Sequence, residues 1–224
     1  MAAFFVTGSG TDIGKTFVCA GLLAHWRAEG LAPSGFKPVL TGFDPAAPQG
    51  SDSALLLAAL GLAADEAGIE AITPFRFRAP LSPDQAAALE GRSLAAKEIA
   101  EVCRAAITAA QGPILIEGAG GVMSPLNSRE TMLDLAVEIG IPVLFAAGSY
   151  LGSLSHALTG LSALKARGLT VAAVLVNESA SGSLGLRQTA ASLVGHCQDT
   201  PVLAIPRGAA GGVWALLTEA IGPV

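Results

Sequence analysis

Lys15 and Thr16 close a glycine-rich stretch, Gly8-Ser9-Gly10-Thr11-Asp12-Ile13-Gly14-Lys15-Thr16, that has the make-up of a phosphate cradle. Glycines let backbone N–H groups turn inward around a phosphate without Cβ clashes, and a helix starting there adds unpaired N–H groups and a positive dipole end. Lys15 would then reach the terminal phosphates and the Thr16 hydroxyl would ligate Mg²⁺. Five residues separate Gly8 from Gly14, one more than the usual P-loop spacing, so the pattern alone is a near miss. A second stretch, Pro113-Ile114-Leu115-Ile116-Glu117-Gly118-Ala119-Gly120-Gly121, is an apolar run ending in an acid and a glycine-rich turn. That is the logic of a Walker-B site, in which a strand tip holds a carboxylate beside the metal. Two further residues are ambiguous on their own. Lys37 reads as a solvated strand-end lysine. Asp52 reads as ordinary first-turn helix chemistry after the N-cap Ser51, or as a carboxylate aimed at a metal–phosphate site.

The elements that would position these groups alternate regularly. Ala3 to Thr7 is a buried strand, and a helix runs from about Gly14 to Glu29, with Gly30 a suitable C′ residue. Ala32 to Val39 reads as the second strand, closed by Thr41-Gly42. A loop over Asp44 to Gly50 precedes a helix from Ser51-Asp52 to about Leu60. Ile72 to Arg78 is a short apolar and basic segment, with Arg76 and Arg78 read as surface charges. Ser82-Pro83-Asp84-Gln85 opens a helix that ends before Gly91, with Pro at its first position. A long amphipathic helix is expected from Ser93 to Ala110. Further helices are expected over Arg129 to Gly140, from the Gly148–His156 turn to near Gly168, over Gly182 to Gly195 and from about Val213 to Ile221. Strands are expected over Ile141–Ala147, Thr170–Val176, tipped by Asn177, and Val202–Pro206. The expectation is one domain over 1–224 of α/β class, a doubly wound, mainly parallel sheet with helices on both faces.

Composition narrows the function. The chain has 224 residues, an apolar share of 51%, only 5% aromatics and a net charge of −5. Small apolar residues suit helices packed closely on a parallel sheet. The acidic balance argues against a nucleic-acid surface. No apolar window is long enough to span a bilayer, and the N-terminal run reads as a strand rather than a leader, so no membrane partner and a cytoplasmic location are expected. Cys19, Cys103 and Cys197 are too dispersed for a disulfide framework or a zinc ribbon. His25, His156 and His196 lack metal-ligand spacing and read as helix-face residues. No Gly-x-Ser-x-Gly elbow is present, and a dinucleotide fingerprint misses by one residue and leaves Lys15-Thr16 without a role. Asn177-Glu178-Ser179-Ala180 lacks the lysine and aspartate with which GTPases read guanine, although the Asn177 amide can pair with a purine edge. Gly10 stands where partitioning-type ATPases carry an extra loop lysine. Both absences point to a metabolic ATP enzyme.

Taken in order, these stretches resemble the dethiobiotin synthetases. That family's long loop, Val-Thr-Gly-Thr-x-Thr-x-x-Gly-Lys-Thr, matches Val6 to Thr16 and has the same five-residue spacing. Its Tyr-Lys-Pro-Val-x-(Ser/Thr)-Gly matches Phe36 to Gly42, its Ser-Asp helix start matches Ser51-Asp52, and its Val-Glu-Gly-Ala-Gly-Gly matches Ile116 to Gly121. Its Leu-Gly-x-(Ile/Leu)-(Asn/Ser)-His matches Leu151 to His156. The matches extend from Val6 to about Pro206. The chain departs from the family at Asp84, where a histidine is frequent, and at Glu178. The resemblance implies a P-loop NTPase fold and an ATP- and Mg²⁺-dependent cyclo-ligase of biotin biosynthesis. Such an enzyme closes a urea ring on 7,8-diaminononanoate with CO2 or bicarbonate, through a phosphorylated carbamate. It implies catalytic roles for Lys37, Lys15 and Thr11, and reverses the solvated reading of Lys37. ATP would be held by Asp12, Ile13, Gly14, Lys15, Thr16, Phe17, Asn177 and Pro206, and Mg²⁺ by Thr16, Asp52 and Glu117. Substrate would meet Thr41, Gly120 and Gly121, with its far carboxylate at the Gly152-Ser153-Leu154-Ser155 helix start of a neighbouring subunit. A homodimer with shared active sites is therefore expected. The alternative is a P-loop regulatory or assembly ATPase of the partitioning type.

Overall fold

A computed structural model describes residues 2–180 and 185–224. In chain order the elements are β1 (Ala3–Gly8), α1 (Lys15–Ala28), β2 (Ser34–Phe36), β3 (Val39–Leu40), α2 (Asp52–Leu60), α3 (Glu66–Ile72), β4 (Phe75–Arg76), α4 (Pro83–Leu89) and α5 (Ala96–Ala109). They continue with β5 (Ile114–Glu117), α6 (Met132–Ile139), β6 (Val143–Gly148), α7 (Ser153–Ala166), β7 (Val171–Asn177), α8 (Leu186–Cys197), β8 (Val202–Ile205) and α9 (Gly212–Ile221).

Six strands form one parallel sheet in the order β2-β5-β1-β6-β7-β8. Near-continuous apolar runs such as Ile114-Leu115-Ile116 are what a strand covered on both faces requires. Alternate residues serve opposite layers. Phe5, Ile114 and Ile116 face α4, α5 and α6, and Phe145, Val174 and Val176 face α7 and α8. Phe4, Val6, Leu115 and Leu144 face α1, α2 and α9. Helix α1 buries Val18, Cys19, Leu22, Leu23 and Trp26, the three-and-four spacing of one helical face. The Trp26 indole N–H, deep in that layer, donates to Thr218 Oγ1 on α9 at 3.0 Å, so the ring is buried without an unpaired donor. The sheet is the expected doubly wound α/β architecture, with helices on both faces.

Several local expectations are corrected. The run Ala32–Val39 is not one strand. Ser34–Phe36 pairs with β5, and Val39–Leu40 pairs in parallel with β4 in a separate two-stranded ladder. Pro38 has no N–H to continue the main ladder, and the Lys37 N–H donates instead to Ile72 O at 3.0 Å. The break is what leaves Lys37 at the strand tip. Helix α3 was not anticipated. Gly68 weakens its pattern, but Asp65 caps it by accepting from Gly68 N at 2.8 Å. Helix α5 starts at Ala96 rather than Ser93, because the first free N–H there is satisfied by Glu130, whose Oε2 accepts from Ala96 N at 3.1 Å. Arg76 is half-buried rather than a plain surface charge, with its guanidinium over the Phe43 ring at 5.7 Å. The helix expected from Gly182 begins at Leu186 as far as the described residues go. Residues 182–184 of that expectation lie outside them. Among the described residues no helix is long and apolar enough to cross a membrane.

Candidate active site

The carboxyl ends of the six parallel strands converge on one edge of the sheet. There lie Gly8 with its loop, Lys37 just past β2, Glu117 at the end of β5, Ser149 after β6, Asn177 at the end of β7 and Pro206 after β8. Ligands bind at this edge in open α/β sheets, where the strand order reverses. The Gly8–Thr16 loop leaves β1, the strand at that reversal, and leads straight into α1. Gly14 adopts φ +91°, and a Cβ there would come within 2.8 Å of Asn177 Nδ2. Both the backbone and the neighbour demand glycine. Asp12 is also left-handed, at φ 55°.

Two cavities flank the loop and share Thr11, Asp12 and Gly14. The first has a volume of about 740 Å³. Its lining includes the polar group Lys15, Thr16, Lys37, Asp52 and Glu117 and the apolar residues Val39, Leu40, Pro80 and Leu81. Thr41 and Gly120 also line it, whereas Gly121 backs it, where a Cβ would approach Gly10 Cα to 3.0 Å.

Within the polar group Lys37 Nζ lies 2.7 Å from Glu117 Oε1 and 3.0 Å from Asp52 Oδ2. The Thr16 hydroxyl donates to the same Glu117 Oε1 at 2.7 Å. Lys37 is 3% exposed and Glu117 1%. Burial alone would push the Lys37 ammonium down, but the charges of Glu117 and Asp52 outweigh it and hold Lys37 above the ordinary lysine value. Asp52 is likewise raised by burial and lowered more by Lys37, so its carboxyl stays below the usual range. Lys37 is thus a fixed cation, not the solvated lysine that its sequence position suggests. Glu117 Oε2 is buried and has no hydrogen-bond partner among the described residues. A buried carboxylate oxygen left open beside a hydroxyl and a second carboxylate fits a hard cation. Mg²⁺ needs only one or two carboxylates when phosphate oxygens complete its octahedron.

Lys15 behaves differently. Its Nζ donates to Gly10 O at 2.8 Å. Burial, with the like charge of Lys37 nearby, pushes its pKa down to about 8. A bound polyphosphate would restore the charge. Below pH 8 Lys15 is already protonated, and above it the free protein has lost that proton. ADP binding is therefore expected to take up close to no proton at pH 7 and toward one at pH 9, with affinity falling from pH 8 to 10. Calorimetry in buffers of different ionisation enthalpy checks this. No uptake at pH 9 would remove Lys15 from the phosphate site.

The second cavity, of about 710 Å³, is lined by Ile13, Phe17, Tyr150, Asn177, Pro206 and Arg207, among others. Asn177 Nδ2 donates to Ile13 O at 2.6 Å, so β7 holds the phosphate loop in place, and its Oδ1 is buried with no partner among the described residues. Phe17 packs edge-on against Trp214, ring centroids 5.5 Å apart. Sequence reasoning missed the groups that rim this cavity. Ser149 and Ser179 exchange two N–H to hydroxyl bonds, each 3.0 Å, which pins the ends of β6 and β7 together. Glu178 Oε2 accepts from Arg207 N at 3.0 Å, bracing the turn after β8. The available signal was the polar residue directly after each apolar strand. Ser82 and Ser124, which line the first cavity, were also missed.

One predicted group stands apart. The Gly152-Ser153-Leu154-Ser155 helix start lines neither cavity. Ser153 is buried, its hydroxyl unpartnered among the described residues, and the adjoining Leu151 is 81% exposed.

Comparison with known proteins identifies the family. The AAA domain family matches residues 2–207. A protein of Caulobacter sp. (strain K31) named ATP-dependent dethiobiotin synthetase BioD is 46% identical, over 100% of this chain and 96% of its own. Proteins of the same name from Caulobacter vibrioides (strain NA1000 / CB15N) and Acidiphilium cryptum (strain JF-5) are 48% and 43% identical, over 92% and 90% of this chain and 93% and 91% of theirs. Among solved structures, the septum site-determining protein MinD complexed with Mg-ADP from Pyrococcus horikoshii OT3 aligns at TM-score 0.51 and 16% identity, over 91% of this chain and 80% of that one. Chloroplast FtsY from Physcomitrella patens aligns at TM-score 0.51 and 16% identity, over 99% of this chain and 65% of that one. These two likenesses concern the fold alone.

Proposed function

The chain belongs to the dethiobiotin synthetase family, and on that premise we propose how its own residues divide the reaction. It is an ATP-dependent ligase of biotin biosynthesis. The observation that carries the assignment is the first cavity, lined by two buried lysines, a carboxylate–hydroxyl cluster and the apolar side chains Val39, Leu40, Pro80 and Leu81. A substrate with vicinal amines on a long alkyl chain, 7,8-diaminononanoate, matches that lining.

One amine adds to CO2 and sheds a proton to give a carbamate. A carbamate oxygen attacks the γ-phosphorus of ATP and ADP departs. The second amine then attacks the carbamoyl carbon, phosphate leaves with its C–O bond broken, and the amine sheds a proton, closing the ring. Negative charge gathers on the carbamate and the transferring phosphoryl oxygens, so preorganised cations dominate the rate. Lys37 faces those oxygens, Lys15 serves the β and γ phosphates, and Thr11 and Thr41 supply hydroxyls near the same atoms. Asp12 and the backbone of Ile13 to Phe17 enclose the phosphates and ribose. Gly120 and Gly121 let substrate approach the backbone. Thr16, Asp52 and Glu117 would hold Mg²⁺, which when bound draws charge from the phosphates. Asn177 reads adenine through its unpartnered Oδ1, with Phe17 and Pro206 beside the base. Asn177→Ala is expected to raise KM for ATP by at least about 3–10-fold, the worth of one such hydrogen bond, and to lower kcat as well, because it also removes the Nδ2 bond that holds Ile13 of the loop. An unaltered KM would remove Asn177 from the base site.

The isolated Gly152–Ser155 turn supports a homodimer in which one subunit's helix start receives the substrate carboxylate of the other. The exposed Leu151 beside it supports a contact there. The reading also takes 1–224 as one domain working in the cytoplasm. The partitioning-type alternative is disfavoured by Gly10, which stands in place of that group's extra loop lysine. Incubation with diaminononanoate, ATP, Mg²⁺ and labelled bicarbonate should place label in an acid-stable product. ATP hydrolysis without such a product would defeat the assignment.

A further inference from the structure

Without a metal, the two carboxylates at the phosphate end already share one cation. One ammonium, Lys37 Nζ, lies within 3.0 Å of an oxygen of both Asp52 and Glu117. Glu117 Oε1, the atom that receives it, also receives the Thr16 hydroxyl. These are the three side chains to which the preceding section assigns Mg²⁺, and Lys37 holds one oxygen of each carboxylate, leaving Glu117 Oε2 as the open one. Lys37 has little freedom to leave by solvation, since it is buried. It can leave only if another cation replaces it and another anion receives it.

We infer that Lys37 is the resident counter-cation of the metal site, so that divalent metal binds firmly only together with nucleotide phosphate. Metal entry then displaces the ammonium from Asp52 and Glu117 toward the reacting oxygens. The exchange balances charge at both ends. The carboxylates trade one positive charge for two, and the ammonium trades two carboxylates for phosphate and carbamate oxygens. An empty active site therefore holds its key lysine in reserve, and loading the metal delivers it. The same contact makes the cation site selective, because a metal without phosphate offers the displaced ammonium no anion. The inference rests on the assignment of Thr16, Asp52 and Glu117 to the metal.

Two measurements test it, neither of them turnover. The first is Mn²⁺ binding by electron paramagnetic resonance to nucleotide-free protein. Lys37→Met, which removes the competing cation and keeps the length of the chain, should bind Mn²⁺ at least tenfold more tightly than the unaltered protein. Equal or weaker binding by folded Lys37→Met overturns the inference. The second needs no variant and decides the matter if Lys37→Met fails to fold. The protein has four lysines, Lys15, Lys37, Lys97 and Lys165, so the ammonium resonances of lysine-labelled protein can be assigned. With ADP bound, Mg²⁺ should move the Lys37 resonance and hasten its proton exchange. A Lys37 signal unchanged at a metal concentration where Mn²⁺ is seen to bind overturns displacement and leaves the metal site standing. Absence of Mn²⁺ binding even with ADP overturns both.

Discussion

Replacing Lys37 with alanine should lower turnover by about 10²–10³-fold, the range for removing one preorganised donor from a developing oxyanion, while KM for ATP stays within a few-fold. The argument is geometric. Lys37 is buried and held by two carboxylates within 3.0 Å, so its charge is already confined to the cavity and a short displacement from Asp52 and Glu117 brings it to the reacting oxygens once substrate and nucleotide are in place. Lys15 is not free to substitute, because its Nζ is bonded to Gly10 O in the loop and, in the proposed reaction, serves the polyphosphate. Formation of labelled dethiobiotin is the measurement, with ATP hydrolysis followed in parallel. Turnover within threefold of the unaltered enzyme would show that Lys37 is a structural counter-ion and nothing more. Lys37→Arg is expected to recover little. The guanidinium is too wide for a slot that presents single oxygens of Asp52 and Glu117 rather than a paired face.

Glu117→Gln should be the most damaging conservative change to the metal-free protein. The amide keeps an acceptor at Oε1 for Thr16 but loses the charge that offsets buried Lys37. It also puts an NH2 group where Oε2 now has no partner, so a donor is orphaned as well. Breaking a buried ion pair costs about 3–5 kcal/mol. Asp52 still faces Lys37, so the lower end applies. For a chain of this length about 3 kcal/mol corresponds to a fall in Tm of roughly 6–12 °C. Thermal unfolding with and without Mg²⁺ and ADP is the check. The unaltered protein should be stabilised by Mg²⁺ with ADP more than by ADP alone, and the variant should lose that increment. An unchanged Tm would mean that Lys37 is adequately paired by Asp52 alone. A retained metal increment would remove Glu117 from the metal site.

Much of the site could be read from the chain because its determinants are local. The Gly14-Lys15-Thr16 turn, the acid closing the Ile114–Ile116 run and the Ser51 cap each depend on neighbours within a few residues. Glycine at positive φ and a cap accepting from an N–H three residues on are properties of the local backbone, and the structure has both. The apolar runs likewise announced a parallel sheet covered on both faces, since only such a sheet tolerates strands with no polar side.

What only the tertiary structure decided was partnership between distant segments. Lys37 reads as a solvated lysine from its own neighbourhood, and it becomes a buried, double-paired cation because Glu117, 80 positions away, ends the adjacent strand. Asn177 braces the phosphate loop through a contact spanning 164 positions. The division of Ala32–Val39 into two ladders follows from where β4 lies, and the separation of the Gly152–Ser155 turn from both cavities follows from the packing of α7. Spacing along a chain encodes which conformations a segment can adopt. Which strand tips become neighbours, and therefore which charges meet in low dielectric, is set by the strand order β2-β5-β1-β6-β7-β8, and that order exists only once the whole sheet has assembled.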